Sequence, residues 1–489
     1  MKKQSFAKGA ALLAVATGLG KILSAIFKIP LDRLFLHADG MAIFNSAYNF
    51  YMLFFSVATA GIPMAISSLV ASARDDEEER SILSTSLIFI QGILFAAGLL
   101  IFIFADTIAN WTGLESAAIA FRVMAPALCF CGFTASFKGF FQGKRIMTPS
   151  AISQVCDSFG RLILGFSLVF VLSSQPLHIK ASGAIAGVPF GALLSAGILV
   201  GTFVLTKNRF RFSFSWKILK NILLLAVPIT LTSSLHAVFN MADTLSVVPT
   251  LEPVLSNAPT AFGCLTRSQT LYALPVSIAT AVSTSILPAV SENIKNKNFE
   301  TVNYESNFAL RLALIVSVPC CAGFIAISPN IFNLLYNDST YHSTLMFIAP
   351  SAVLLSAGTV LSCILQGMKK SGLTVIAAVI AILSKMILNP ILLSFLKING
   401  AAVSTSVSYL IFVLFCVFFT HKSTPVRFRA KSVLLKPLVC GLLCFATAFW
   451  AIKVSCAEIS IVLAALVYVP SIFITRLITK EELKQIFGG

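Results

Sequence analysis

Residues 125–164 read APALCFCGFTASFKGFFQGKRIMTPSAISQVCDSFGRLIL, and this stretch decides the fold. An apolar run ends at Phe140-Phe141-Gln142-Gly143, turns at Lys144-Arg145 and resumes at Met147-Thr148-Pro149. The second run carries Asp157 and Arg161 inside it. The pattern is that of two membrane helices joined by a tight turn on a basic side. It returns 224 residues later: Ala349-Pro350 matches Ala125-Pro126, Gln366-Gly367 matches Gln142-Gly143, Lys369 falls on Arg145 and Lys385 on Arg161. The chain therefore reads as a duplicated membrane protein, with a cation deep in an apolar helix of each half.

A second match between the halves agrees. Tyr51-Met-Leu-Phe-Phe-Ser-Val-Ala-Thr-Ala60 aligns without a gap on Tyr272-Ala-Leu-Pro-Val-Ser-Ile-Ala-Thr-Ala281, at an offset of 221, with six of ten positions identical. Gly61, Pro63 and Pro275 follow or lie within these stretches and are expected to break or kink the two helices, making them candidate hinges.

Composition sets the class. With 489 residues, 57% apolar, 11% charged and a mean hydropathy of +0.90, the chain is an all-α polytopic membrane protein. No polar segment much exceeds about 15 residues, too few for a soluble domain. Lys2, Lys3 and Lys8 precede a stretch of full spanning length, which predicts a retained first helix and not a cleaved leader. Fourteen apolar segments are predicted, at about 6–36, 41–73, 81–105, 116–140, 148–173, 181–206, 217–246, 260–291, 301–328, 341–367, 370–395, 399–420, 433–451 and 455–478. Six is an even number, so the repeats run parallel. The expected organisation is one lobe of segments 1–6 over residues 1–206 and a second of segments 7–12 over 207–420. Segments 13 and 14 with a tail, over 421–489, are extra, and Lys480 to Lys484 is read as a short interfacial helix end.

The net charge of +17 invites a nucleic-acid partner, but its distribution excludes one. Only Arg33, Lys180, Lys397 and Lys453 of the 36 basic residues fall in outer loops; seven lie inside segments and the remaining 25 are assigned to the inner side. That asymmetry places both termini in the cytoplasm. The 11 cysteines form no C-x-x-C pair, the five histidines make no metal motif, and there is no Walker sequence. No cofactor and no metal is expected. Asp75-Asp76-Glu77-Glu78-Glu79 reads as a solvated turn.

The chemistry lies in the seven cations inside segments: Lys21, Lys28, Arg122, Arg161, Arg267, Arg311 and Lys385. A central cation costs roughly 2.5–3.5 kcal/mol on insertion scales, so such residues face a bundle interior or a wet cavity. Arg122, Lys28 and Arg311 lie near segment ends, where snorkelling is open to them. The acids available to pair with the cations or hold an ion are Asp157, Asp243 and Asp32, with Glu305 near one end. Asp157 and Arg161 are also spaced to pair along one helix. The surplus of cations favours an anionic guest such as a phosphate or diphosphate. Three other readings stay open. A drug/cation antiporter would need an essential acid, for which Asp157 is the candidate. A membrane-embedded glycosyl or phosphoryl transferase would need paired carboxylates or a metal. A non-transporting scaffold for cell-wall synthesis would need neither.

Three blocks carry a family resemblance. They are Gly20-Lys21-Ile-Leu-Ser-Ala-Ile-Phe-Lys28-Ile-Pro30-Leu-Asp-Arg33, Ala58-Thr-Ala-Gly-Ile-Pro-Met-Ala-Ile-Ser67, and Phe140-Phe-Gln-Gly143 with Met147-Thr-Pro149 and Ser153-Gln154-Val155. They resemble the stage V sporulation protein B group of polysaccharide-biosynthesis membrane proteins. That group sits in the multidrug/oligosaccharidyl-lipid/polysaccharide exporter superfamily with the MurJ-type lipid II flippases. The resemblance implies a V-shaped bundle of 14 helices in a bacterial inner membrane and no enzymatic step. It implies alternating access that flips an undecaprenyl-diphosphate-linked saccharide outward, with cell-wall glycosyltransferases as candidate partners. It also implies a lipid-tail groove near segments 13 and 14. MurJ-type flippases line their cavity with basic residues from segments 1, 2 and 8. Lys21, Lys28 and Arg267 match, whereas Phe54 and Phe55 stand where segment 2 would carry an arginine. Arg161 and Lys385, matched across the repeat, complete the expected substrate-binding set.

Overall fold

The computed structural model describes residues 6–35, 37–206, 210, 212–454, 456–475 and 477; the side chain of Lys21 and the whole of Lys480 to Lys484 lie outside the described residues. Among the described residues there are helices and no strands. A backbone that crosses lipid must satisfy each N–H and C=O within its own segment, and a helix does so. Twelve helical spans among the described residues are long and apolar enough to cross a membrane. Phe6–Phe35 and Ala258–Lys295, at 30 and 38 residues, are further helices of that length. The protein is an all-α, multi-pass membrane protein.

Packing divides the chain into two compact units, Met1–Thr266 and Arg267–Gly489. The first holds α1 (Phe6–Phe35), α2 (Ala38–Thr59), α3 (Gly61–Ser72), α4 (Asp76–Ser86), α5 (Gly92–Ile103), α6 (Pro126–Gly143), α7 (Thr148–Val171), α8 (Leu177–Leu205), α9 (Trp216–Ser233), α10 (Leu235–Leu251) and the start of α11 (Ala258–Lys295). The second holds the rest of α11 with α12 (Phe299–Ala326), α13 (Ser328–Tyr336), α14 (Ser343–Gly367), α15 (Ser371–Leu396), α16 (Ile398–Ser423), α17 (Lys436–Ala451) and α18 (Ala457–Ile474). In the first unit α8 packs on both α7 and α6; in the second, α16 packs on both α15 and α14. α9 packs on α3 and α10 on α2, so by packing these two helices belong with the first unit.

The duplication is visible atom by atom in two turns. After α6, Arg145 N–H donates to Gln142 O at 3.0 Å and Ile146 N–H to Phe141 O at 2.9 Å. After α14, Lys369 N–H donates to Gln366 O at 2.9 Å and Lys370 N–H to Leu365 O at 2.8 Å. Arg145 has φ 59° and Lys369 has φ 58°, the left-handed helix ending usually given to glycine. Repeat-equivalent positions also touch. Thr260 Oγ1 donates to Asp39 Oδ1 at 2.6 Å, and Asn45 Nδ2 donates to Thr266 Oγ1 at 3.1 Å, each pair 221 residues apart.

The acidic run is a helix start. Asp75 Oδ1 accepts from Glu78 N–H at 2.8 Å, and Asp76 to Glu79 fill the first turn of α4, where negative charge meets the unpaired N–H groups. Glu79 then pairs with Lys144 at 2.6 Å, joining the start of α4 to the turn after α6.

The two expected breaks differ. The backbone leaves helical geometry at Ala60 (φ −95°, ψ −83°), separating α2 from α3. There a Cβ on Gly61 would lie 2.3 Å from both Ala226 O and Thr230 Oγ1, so α9 approaches to a distance only glycine allows. Pro275, by contrast, lies within the uninterrupted α11. A proline removes one helical hydrogen bond, and a helix absorbs that with a bend instead of a break.

Candidate functional site

α1, α2, α6 and α7 bring a cationic cluster into the interior of the first unit. On α2, Asn45, Tyr48 and Tyr51 recur at intervals of three and share one face. Lys28 of α1 donates to Asn45 Oδ1 at 3.0 Å and lies 4.4 Å from the centre of the Tyr48 ring. Arg161 of α7 donates to Tyr48 Oη at 2.9 Å and to Asp157 Oδ2 at 2.7 Å. Its guanidinium also stands 5.8 Å from the ring centres of Tyr48 and Tyr51. Tyr48 thus binds two cations, one through its ring face and one through its hydroxyl. Cys131 of α6 points its Sγ at Tyr51 Oη, 3.9 Å away.

Close packing of α8 on α7 holds this pair inside. A Cβ on Gly187 would lie 2.3 Å from Arg161 O, and one on Gly191 would lie 2.4 Å from Asp157 O. Small residues let membrane helices approach to this distance. Asp157 and Arg161 are both buried, and Asp157 Oδ1 and Arg161 Nε make no hydrogen bond. Lys138 of α6 is buried as well, within reach of the Asp157 charge. Asp157 therefore has Arg161 as its partner and Lys138 within reach, and Arg161 Nε keeps an N–H to spare for an anion. Tyr48→Phe keeps the ring for Lys28 and removes the hydroxyl from Arg161. The expected loss is about 1.5–3 kcal/mol of stability, read by unfolding of the purified protein.

The second unit holds two separate basic sites. Arg267 of α11 is 3% exposed, donates to Asp338 Oδ2 at 2.6 Å and lies 4.9 Å from the Tyr336 ring centre. Beside it, Ser268 Oγ and Thr344 Oγ1 share a hydrogen bond of 2.7 Å. Burial raises the Asp338 carboxyl, but hydrogen bonds from the Thr340 side chain and backbone and from Arg267 outweigh it and hold the carboxyl below its ordinary range. Lys385 of α15 is 1% exposed. Its Nζ donates to Thr405 Oγ1 (2.8 Å), Ser404 Oγ (2.9 Å), Asn389 Oδ1 (3.0 Å) and Ala401 O (3.2 Å).

The remaining candidates fall elsewhere. Asp32 and Asp243 are buried, in α1 and α10. Lys21 lies two turns before Lys28 on α1. Arg122 pairs at 2.5 Å with Asp106, and both are exposed. Arg311 donates to Leu477 O at 3.1 Å.

Comparison with known proteins places these helices in a family. The sequence profile of the polysaccharide biosynthesis protein family matches residues 6–294, more than half of the chain. The chain belongs to the polysaccharide biosynthesis protein family. The MatE profile matches residues 228–391. Among relatives of this family member, the lipid II flippase MurJ of Bacillus subtilis (strain 168) is 26% identical over 449 residues, 83% of this chain and 81% of its own. Stage V sporulation protein B of the same organism is 26% identical over 518 residues, 99% of this chain and 98% of its own. The solved structure of a lipid II flippase MurJ in an inward closed conformation shares the fold. Its TM-score is 0.75 at 20% identity, covering 95% of this chain and 98% of that one.

For this family member, reading the sequence missed the partners more than the cations. Tyr48, Tyr51 and Asn45 are ordinary residues of an apolar segment, and only their three-residue spacing beside a buried cation singles them out. Asp338 follows α13 in a short polar turn, 71 residues from Arg267. Lys138 was not among the seven cations read as lying inside segments, being so near the end of segment 116–140. The structure instead keeps α6 helical to Gly143 and buries Lys138 a turn further in.

Proposed function

We propose that this chain is a flippase for a saccharide carried on a polyprenyl diphosphate, moved from the inner to the outer leaflet of a bacterial inner membrane by alternating access. It is a secondary transporter and not an enzyme. The observation that carries this reading is the set of cations, half-buried Lys28 with buried Lys138 and Arg161, that α1, α6 and α7 bring into the interior of the first unit, where Arg161 Nε makes no hydrogen bond. A diphosphate is the guest such a surplus suits, and a guanidinium with free N–H capacity grips it in two places. Lys28 and Arg161, with Lys21 on the helix of Lys28, are the proposed headgroup contacts of the first unit, and Arg267 is a separate proposed contact of the second. The names of the flippase relatives support the substrate class.

The proposed topology has 14 crossings, both termini in the cytoplasm, six-helix sequence repeats over 1–206 and 207–420, whose bounds differ from those of the packed units, and the last two helices lining the lipid tail. Cell-wall glycosyltransferases are the proposed partners. The membrane potential supplies the drive, at roughly 2.3 kcal/mol per moved charge per 100 mV. The MatE match favours a second reading, a cation-coupled drug antiporter. It would need Asp157 free to load an ion, and Arg161 holds that carboxylate at 2.7 Å.

The test is flipping of a fluorescent undecaprenyl-diphosphate sugar in proteoliposomes. Wild type is expected to flip it, with Lys28→Ala and Arg267→Ala each at least about tenfold slower, the cost of one lost charged contact. No flipping by wild type, together with export of a cationic dye that depends on Asp157, favours the antiporter.

A further inference from the structure

Arg267 and Asp338 form an ion pair whose two halves differ in burial. The Arg267 side chain is 3% exposed and that of Asp338 is 31% exposed, with 2.6 Å between Nη1 and Oδ2. The guanidinium is therefore inside the second unit, and its carboxylate partner stands toward the surface. Asp338 lies in the turn between α13 and α14, where Asn337, Ser339 and Thr340 are exposed. The turn presents the carboxylate: Thr340 N–H donates to Asp338 Oδ1 at 2.8 Å, and Oδ2 faces Arg267. Asn337 and Tyr341, on either side, both have φ 53°, a left-handed backbone that is uncommon for asparagine and costly for tyrosine. These two residues mark the turn off from the helices that carry it. Arg267, by contrast, is fixed within α11, with the Tyr336 ring centre 4.9 Å from its guanidinium.

A buried guanidinium that already carries a carboxylate can meet a phosphate at that position only if the carboxylate gives way. We propose that Asp338 is an internal competitor of the diphosphate for Arg267. It is a positioning residue that occupies a headgroup contact until the substrate displaces it, and it takes the contact back as the substrate leaves. This deepens the proposed function and rests on its reading of Arg267 as a headgroup contact. Carboxylate and phosphate oxygens both accept from guanidinium N–H groups in the same fork geometry, so one can replace the other. A diphosphate brings more charge and more oxygens than one carboxylate, which lets it enter. The carboxylate is tethered, so its local concentration is high once the headgroup loosens. In the proposed topology this turn lies on the outer side, where the headgroup must be given up. A site whose competent state is only partly populated has its apparent affinity reduced by that fraction. Asp338 thus exchanges affinity for release.

Two measurements on the full-length protein test this. The first is binding of inorganic diphosphate in lipid nanodiscs, by titration calorimetry. Asp338→Asn keeps the shape and removes the charge, and it is expected to bind about tenfold tighter than wild type. Asp338→Asn/Arg267→Gln is expected to lose that gain. The second is flipping of a fluorescent undecaprenyl-diphosphate sugar in proteoliposomes at increasing substrate density. Asp338→Asn is expected to half-saturate at about tenfold lower density and to turn over more slowly at saturation. Asp338→Glu, which keeps a carboxylate, is expected to return both toward wild type. A residue that only holds Arg267 in place predicts the opposite, weaker binding in Asp338→Asn. The inference is overturned if Asp338→Asn binds diphosphate no tighter than wild type, if the gain persists without Arg267, or if half-saturation of flipping does not fall. Asp338→Ser carries the same test if Asp338→Asn does not fold, and failure of both to fold overturns it as well. If wild type does not flip the lipid but Asp338→Asn gains diphosphate through Arg267, the flippase reading fails and the competition at Arg267 stands.

Discussion

Replacing Arg161 by methionine is expected to destabilise the protein by about 3–5 kcal/mol, because it strips the counter-charge from a buried carboxylate. Asp157 is 7% exposed and its Oδ2 has Arg161 as partner at 2.7 Å, while Oδ1 has no hydrogen bond to fall back on. Tyr48 Oη loses its guanidinium donor at the same time. Unfolding of the purified protein in mixed micelles measures the loss. Asp157→Leu/Arg161→Met removes both charges and is expected to recover most of it, since an apolar pair of similar volume replaces a buried ion pair at little net cost. A double variant as unstable as the single one would mean that the guanidinium acts through Tyr48 and the ring faces, not through the carboxylate. The pair of variants also separates structure from transport. If Arg161 grips the headgroup, the double variant regains stability and still fails to flip the lipid.

Gly61→Ala is expected to have the second large effect, at the break between α2 and α3. The new methyl would sit 2.3 Å from Ala226 O, 2.3 Å from Thr230 Oγ1 and 3.0 Å from Thr230 N, so α9 must move away. Overpacking of this kind costs about 1–3 kcal/mol. Adding Thr230→Ala removes the hydroxyl contact but leaves the Ala226 carbonyl in place, so only part of the loss should return. Gly323→Ala is the control, since nothing lies within 4 Å of its added methyl and alanine favours the helix. Its unfolding is expected to match or slightly exceed wild type. If Gly61→Ala matches that control in stability and in flipping, the close approach of α9 matters to neither.

Most of the architecture was legible in the chain. Spanning helices are a one-dimensional signal, because lipid forces each segment to satisfy its own backbone and the length of an apolar run becomes the length of a helix. The matched turns after Gly143 and Gly367 share both their residues and their left-handed φ, so the duplication read from letters reappears in the backbone. The pairing of Asp157 with Arg161 was legible for the same reason, being a contact of one helix with itself. Gly61 marked its break, but the proline-based signal did not separate it from Pro275. What differs is the neighbour, since α9 presses its backbone against Gly61.

The sequence by itself determined a duplicated, multi-pass helical membrane protein with cations inside its segments and too few acids to match them. Only the tertiary structure decided what each cation does. Arg161 finds Tyr48 across 113 residues, Lys28 finds Asn45 across 17, and Arg267 finds Asp338 across 71. Lys385, the repeat partner of Arg161, instead enters a shell of hydroxyl, amide and carbonyl oxygens from α15 and α16. Equivalent positions of the two repeats thus came to opposite uses, one beside a carboxylate with N–H capacity to spare and one beside hydroxyl, amide and carbonyl oxygens. The physical reason is that a buried charge is governed by whatever polar atoms the neighbouring helices bring within about 3 Å, and helix contact order is not written in the spacing along the chain.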